Sequence, residues 1–283
     1  MMEDEDRGRL LDNASEVESD EGDPLLASSV SSPPKGFLTR HVFAALSFMG
    51  FANVYAMRVN LSVAIVAMVN NTAIAHNKSG DNSSSCPVVG NITETATDGP
   101  FDWGEREQGW LLGAFFYGYV ATQIPGGRMA EKYGGKMLYG VGVLITAVFT
   151  LLTPLAANTS IYALVFVRII EGLGEGVTFP AMHAMIAVWV PPQERSRLAG
   201  LIYGGAQFGT VVSLPISGYL CDIWGWETVF YVFGTLGCVW YVFWWWYVFD
   251  NPNTHPHIDP AERRFILDSL GTVRTSAPLP VPW

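Results

Sequence analysis

The sequence predicts an all-α membrane protein of six transmembrane helices. Three observations carry the prediction: the composition is strongly apolar, apolar stretches long enough to cross a bilayer recur six times, and basic residues gather at alternate ends of those stretches. Hydrophobic residues make up 49% of the 283 residues and charged residues only 15%. That is too apolar for an ordinary soluble domain of this length. The net charge of -10 belongs mainly to one tail, because residues 1–26 hold ten acids against Arg7 and Arg9 while acids and bases nearly balance elsewhere. Without clustered Lys and Arg there is no footprint for nucleic acid.

Residues 1–36 are acidic, rich in Ser and Pro and poor in aromatics, and are expected to form a disordered tail. No basic segment followed by a short apolar core opens the chain, so no cleaved signal peptide is expected and the first span serves as the insertion signal. The spans are expected at about 41–69, 107–127, 137–157, 161–190, 198–221 and 228–249, each supplying the roughly 20 helical residues that a bilayer core requires. Residues 37–250 thus form the bundle, with a long loop at about 70–106, and residues 251–283 a linker. Small residues recur at helix-packing spacing in Gly109 and Gly113, Gly172 and Gly176, and Gly205 and Gly209, which lets helix backbones approach. Pro125, Pro180 and Pro215 mark kinks or hinges, and the two readings stand equally.

Orientation follows from the bases. Lys35 and Arg40 precede the first span, Arg128, Lys132 and Lys136 fill the second connection, Arg195 and Arg197 the fourth, and Arg263 and Arg264 follow the sixth. The positive-inside rule then makes both termini cytoplasmic. Glycosylation sequons at Asn70, Asn77, Asn82 and Asn91 crowd the long loop on the opposite side, and Asn158 adds one in the third connection. Asn13 and Asn60 match as well but fall in the tail and in the first span.

The chemistry is expected where charge enters the membrane. An ionisable side chain at the centre of a span costs about 2.5–3.5 kcal/mol on insertion scales and needs a partner or a wet cavity. The fourth span carries Arg168, Glu171, Glu175 and His183, which share one face of about 120° on a continuous helix. Arg168 and Glu171, at i,i+3, are an ion pair that either couples protons or anchors neighbouring helices. Glu175 is too far along for Arg168 and is the better proton carrier, since a low-dielectric site favours a neutral carboxyl. His183 titrates in the right range but reads more readily as a packing residue. In the first span Arg58 follows Phe51 and Tyr55 on one face. Its guanidinium suits a substrate carboxylate, and the competing reading makes it the partner of a glutamate. Phe116, Tyr119 and Gln123 form a stripe able to stack on a polyhydroxylated ligand. Cys86, Cys221 and Cys238 show no ligand spacing, so neither a metal nor a cofactor is expected, and no arrangement suggests an enzyme.

The run Gly127-Arg128-Met129-Ala130-Glu131-Lys132-Tyr133-Gly134-Gly135-Lys136 resembles the signature between helices two and three of the major facilitator superfamily, where it serves as a cytoplasmic gating latch. Gly127, Glu131, Lys132, Gly134 and Lys136 are the latch residues by that resemblance, with Glu131 in place of the usual Asp, Lys132 in place of the usual Arg, and Gly135 at an often basic position. The segments Tyr55 to Ser62, Phe115 to Gly127 and Arg168 to His183 resemble the anion/cation symporter family within it. Leu112 and Glu171 match the branch that carries sialic acid rather than the glutamate-carrying branch, which has His and Gln there. The resemblance implies the N-terminal half of a facilitator fold, in which Arg58 meets the substrate carboxylate while Arg168, Glu171 and Glu175 form the coupling network. The implied partners are protons, an anionic small molecule and membrane lipid, and the implied activity is proton-coupled export of acidic sugars from lysosomes. Carriage of glutamate, aspartate, another organic anion or phosphate is the alternative. Glu21-Gly22-Asp23-Pro24-Leu25-Leu26 fits an acidic dileucine signal for clathrin adaptors and lysosomal delivery, with a poorer match from Asp6 to Leu11. Facilitators enclose substrate between two six-helix halves. A fragment, a splice form, a self-associating half and a non-transporting partner of a longer relative therefore all remain open.

Overall fold

The computed structural model describes residues 39–70 and 99–271. They form eight helices: α1 (Thr39–Met68), α2 (Glu105–Tyr133), α3 (Gly135–Thr159), α4 (Ile161–Gly176), α5 (Thr178–Trp189), α6 (Arg195–Trp224), α7 (Trp226–Tyr247) and α8 (Pro260–Gly271). Helices α1 to α7 belong to one compact unit, and α8 belongs to a second. By length and apolarity alone, α1, α3, α6 and α7 are able to cross a membrane. Helix α2 has the length, at 29 residues, but its apolar stretch is diluted by Trp, Tyr and Gly. The remaining span is shared between α4 and α5, which gives the expected six passes.

The span expected at 161–190 is therefore not one helix. It breaks at Val177, whose φ of -81° and ψ of -12° keep the two parts nearly continuous. Pro180 supplies the cause: it has no N–H to offer the Gly176 carbonyl four residues back, and its ring crowds that carbonyl. The segment Gly127–Lys136 also differs from the expected loop. Helix α2 runs through Tyr133, Gly134 alone makes the link, and α3 begins at Gly135. Gly134 has φ +91°, a conformation open to glycine and strained for other residues. A Cβ there would lie 2.6 Å from Asp250 Oδ1, which accepts the Lys136 backbone N–H at 2.9 Å.

The bundle core divides into two apolar clusters. One contains Phe43, Phe51, Met57, Tyr139, Ala147, Met182, Trp189 and Trp244, and the other Leu61, Met68, Leu111, Ala157, Leu164, Trp226 and Phe230. Between the clusters α1 contributes Arg58 and Asn60, α3 the buried Thr150 and Thr153, and α4 the buried Arg168, Glu171 and Glu175, so a charged and polar layer lies across the middle of the bundle. Helix α1 packs chiefly on α6 and α2 on α4. Glycine makes both crossings close. A Cβ on Gly172 would strike the Phe115 carbonyl, one on Gly118 the Ile169 carbonyl, and those on Gly205 and Gly209 the carbonyls of Phe48 and Ala52. Gly109 and Gly113 make no such contact. They line an open groove with Trp110, Tyr117, Val165 and Ile169.

At the end expected to face the lumen, a parallel bridge joins Val69 to Phe101, with Asn70 N–H donating to Phe101 O at 2.9 Å. Asn158 lies in the last turn of α3 rather than in a loop and donates to Glu227 Oε1 at 3.4 Å. The sorting residues Glu21, Leu25 and Leu26 and the sequons at Asn77, Asn82 and Asn91 lie outside the described residues.

Candidate substrate and proton site

The charged layer is assembled from α1, α2, α3 and α4. Arg168, Glu171 and Glu175 on α4 are all buried, at 3%, 1% and 0% exposure. Charges this deep persist only when paired, and each of the three has a partner. Arg168 Nη1 donates to Glu171 Oε2 at 2.6 Å, the i,i+3 pair expected from the sequence. Glu171 Oε1 accepts from Thr150 and Thr153 of α3, each at 3.2 Å. Glu175 is paired across the bundle with Arg58 of α1, and neither of its oxygens accepts a hydrogen bond of good geometry.

Arg58 is the most accessible charge of the layer, its side chain 18% exposed. Its guanidinium carbon lies 4.6 Å from the Tyr55 ring centre, 4.8 Å from Phe115 and 4.8 Å from Tyr119. Rings at this distance attract a cation through their negative faces. Phe115 also faces Arg168 at 5.2 Å, so one phenyl group neighbours both arginines. Arg58 holds one strong ionic partner and three aromatic neighbours, and exchanging Glu175 for another carboxylate would leave those neighbours in place.

The structure thus brings together Arg58, Tyr55, Tyr119, Arg168, Glu171 and Glu175. Phe116 is 55% exposed and meets the site only through an edge contact with Phe115 at 5.5 Å. Gln123 is exposed on α2. His183 sits beyond the break on α5, exposed, with its ring 5.1 Å from that of Tyr203. The break at Val177 separates His183 from Glu175, and the chain of rings His183–Tyr203–Phe179–Tyr55 runs from it toward the site. Phe115, Thr150 and Thr153 belong to the site and were missed by sequence reasoning. Three threonines on α3, Thr146, Thr150 and Thr153, stand at helical spacing opposite Glu171, a signal that an α3–α4 pairing would have exposed. Of the latch residues, Glu131 and Lys132 are exposed, Gly127 and Gly134 half-buried. Lys136 places its ammonium 4.5 Å from the Phe249 ring and 4.9 Å from Trp245.

A six-span helical half-bundle with an ion-paired layer across its middle is the architecture of one half of a facilitator-type carrier. The chain belongs to the Major Facilitator Superfamily, whose family model matches residues 43–283. It is 48% identical to sialin of Homo sapiens over 272 residues, covering 94% of this chain and 54% of that protein. It is 45% identical to a putative inorganic phosphate cotransporter of Drosophila melanogaster over 256 residues, covering 89% of this chain and 48% of the relative. Vesicular glutamate transporter 2 of Mus musculus is 37% identical over 266 residues, covering 92% and 43%. The chain spans about half the length of the curated relatives it matches.

Proposed function

We propose that the chain is one half of a proton-coupled carrier that exports sialic acid and related acidic sugars from lysosomes by alternating access. The observation that carries this reading is the Arg58–Glu175 ion pair. Arg58 is always charged and faces three aromatic rings suited to a sugar. An incoming substrate carboxylate competes with Glu175 for it. A proton on Glu175 removes that competitor, so proton and anion bind together, which is the linkage a symporter needs. In the acidic lumen both load; in neutral cytosol Glu175 gives up its proton, reclaims Arg58 and expels the anion. Similarity to sialin supports the sugar acid as substrate, and similarity to the phosphate cotransporter supports a second reading in which Arg58 receives a small inorganic anion.

Uptake of labelled sialic acid into cells that carry the chain at the surface, with Leu25 and Leu26 changed to Ala, tests the proposal at about pH 5 and about pH 7. The chain is assayed alone and co-expressed with the other half of human sialin. Uptake confined to acid pH and abolished by Arg58→Ala is expected. Phosphate or glutamate competing better than glucuronate would favour the second substrate class. No uptake in either format despite surface expression would leave a non-transporting partner of a longer relative.

A further inference from the structure

The two buried glutamates of α4 are held in different ways. Both oxygens of Glu171 are engaged: Oε2 receives Arg168 at 2.6 Å, and Oε1 receives the hydroxyls of Thr150 and Thr153 at 3.2 Å each. Among the described residues Glu175 has Arg58 alone. All three donors to Glu171 are themselves buried, with Thr150 at 1%, Thr153 at 0% and Arg168 at 3% exposure.

Each threonine has one hydroxyl hydrogen and two acceptors in reach. Thr150 lies 2.8 Å from the Thr146 carbonyl and Thr153 3.1 Å from that of Phe149. A charged acceptor draws the hydrogen more strongly than a carbonyl that already serves the helix ladder, so an ionised Glu171 receives both. Among the described residues, Arg58 and Tyr55 from α1, Tyr139 from α3 and Arg168 from α4 itself face the two carboxyls, and Tyr119 from α2 stands against Arg58 and Tyr55. Arg58, Tyr55 and Tyr119 are shared with the expected substrate position, and Arg58 is paired with Glu175 rather than Glu171.

We infer that Thr150 and Thr153 are positioning residues: they keep Glu171 as the standing counter-ion of Arg168 and leave Glu175 as the carboxyl that exchanges protons. The inference rests on the proton-coupled reading and deepens it by assigning the proton to one of two buried candidates. Without the two hydroxyls, Glu171 Oε1 would be buried with no donor, and hydrogen bonds that favour the ionised form would be gone. Glu171 would then take up a proton as well, and Arg168 would lose its fixed partner.

The test is infrared difference spectroscopy of the purified chain in lipid nanodiscs, stepped between about pH 7 and about pH 5, reading the carbonyl stretch of protonated carboxyl groups. In the wild type, Glu175→Gln is expected to remove one band and Glu171→Gln none. The pair Thr150→Val and Thr153→Val is expected to add a second band, whereas Thr150→Ser with Thr153→Ser, which keeps both hydroxyls, adds none. If the valine pair aggregates, each single valine variant is expected to show the added band at lower amplitude. A wild-type band removed by Glu171→Gln, no added band in any valine variant, or the same added band in the serine pair would overturn the assignment. The spectra require no transport. A chain that gives them but carries no solute overturns only the transport reading, and a transporting chain without them overturns only this one.

Discussion

At the scale of the residue, the two ion pairs of the charged layer differ in what replaces a lost partner. Arg168 is buried and depends on Glu171. Its other polar contact is a long 3.4 Å approach to the Arg58 carbonyl. Removing one member of a buried pair strands the other charge and costs about 3–5 kcal/mol. Arg58 has some solvent access and three aromatic faces around it, each worth about 0.5–2 kcal/mol to a cation. Glu171→Gln is therefore expected to lower the melting temperature of the detergent-solubilised chain clearly more than Glu175→Gln does. Equal losses would mean that the aromatic ring cluster does not hold Arg58 in place of Glu175.

At the scale of the element, the helix crossings depend on which glycines meet backbone. Gly118 and Gly172 stand where α2 and α4 touch, each directed at a carbonyl of the other helix. Gly113, on the same helix as Gly118, faces open groove. Alanine is the better helix former by about 1 kcal/mol, so Gly113→Ala is expected to leave thermal stability unchanged or slightly raised. Gly172→Ala must push the helices apart and is expected to lose monodisperse protein in size-exclusion chromatography. If both variants behave alike, the close α2–α4 crossing is wrong. The sequence announced these pairs by spacing alone, and spacing does not say which pair has a neighbour. The same gap explains the aromatic stripe. Phe116, Tyr119 and Gln123 share a helix face, but Phe115, one residue earlier, is the ring that Arg58 and Arg168 meet. The break at Val177 was legible in principle from Pro180, because the affected carbonyl always lies four residues back. The Arg58–Glu175 pair was open as an alternative and needed the tertiary structure to be seen, since nothing local relates α1 to α4.

At the scale of the whole molecule, exposed Trp side chains and several exposed Tyr stand in bands toward the two ends of the bundle, with Phe116, Tyr117 and Phe208 exposed between them. Trp110 at the start of α2, Tyr162 at the start of α4 and Trp224 at the end of α6 are exposed at one end, and Tyr133 at the end of α2 with Trp245, Trp246 and Tyr247 at the end of α7 at the other. Along α2, Trp110 and Tyr133 are about 35 Å apart at 1.5 Å per residue, close to the separation of the two interfaces of a bilayer whose core is about 30 Å thick. Trp and Tyr favour those interfaces, so the bands mark the membrane's borders independently of the basic residues. Arg128, Lys132 and Lys136 stand beside the second band, which the positive-inside rule leads us to expect on the cytoplasmic side. On that expectation we propose that the sequons in the connection between α1 and α2 are lumenal, whereas Asn60 is fully buried and its side chain accepts from Ser217 at 3.1 Å. Glycosidase treatment of the chain from mammalian cells is expected to increase its gel mobility. Changing Asn70, Asn77, Asn82 and Asn91 together to Gln should abolish that increase, and Asn60→Gln should not alter it. A chain from those cells that carries no glycan, with a protease-sensitive tag at its N-terminus exposed outside, would invert the topology. The Arg58–Glu175 pair would then load its proton from the opposite compartment, and the proposed direction of export would reverse with it.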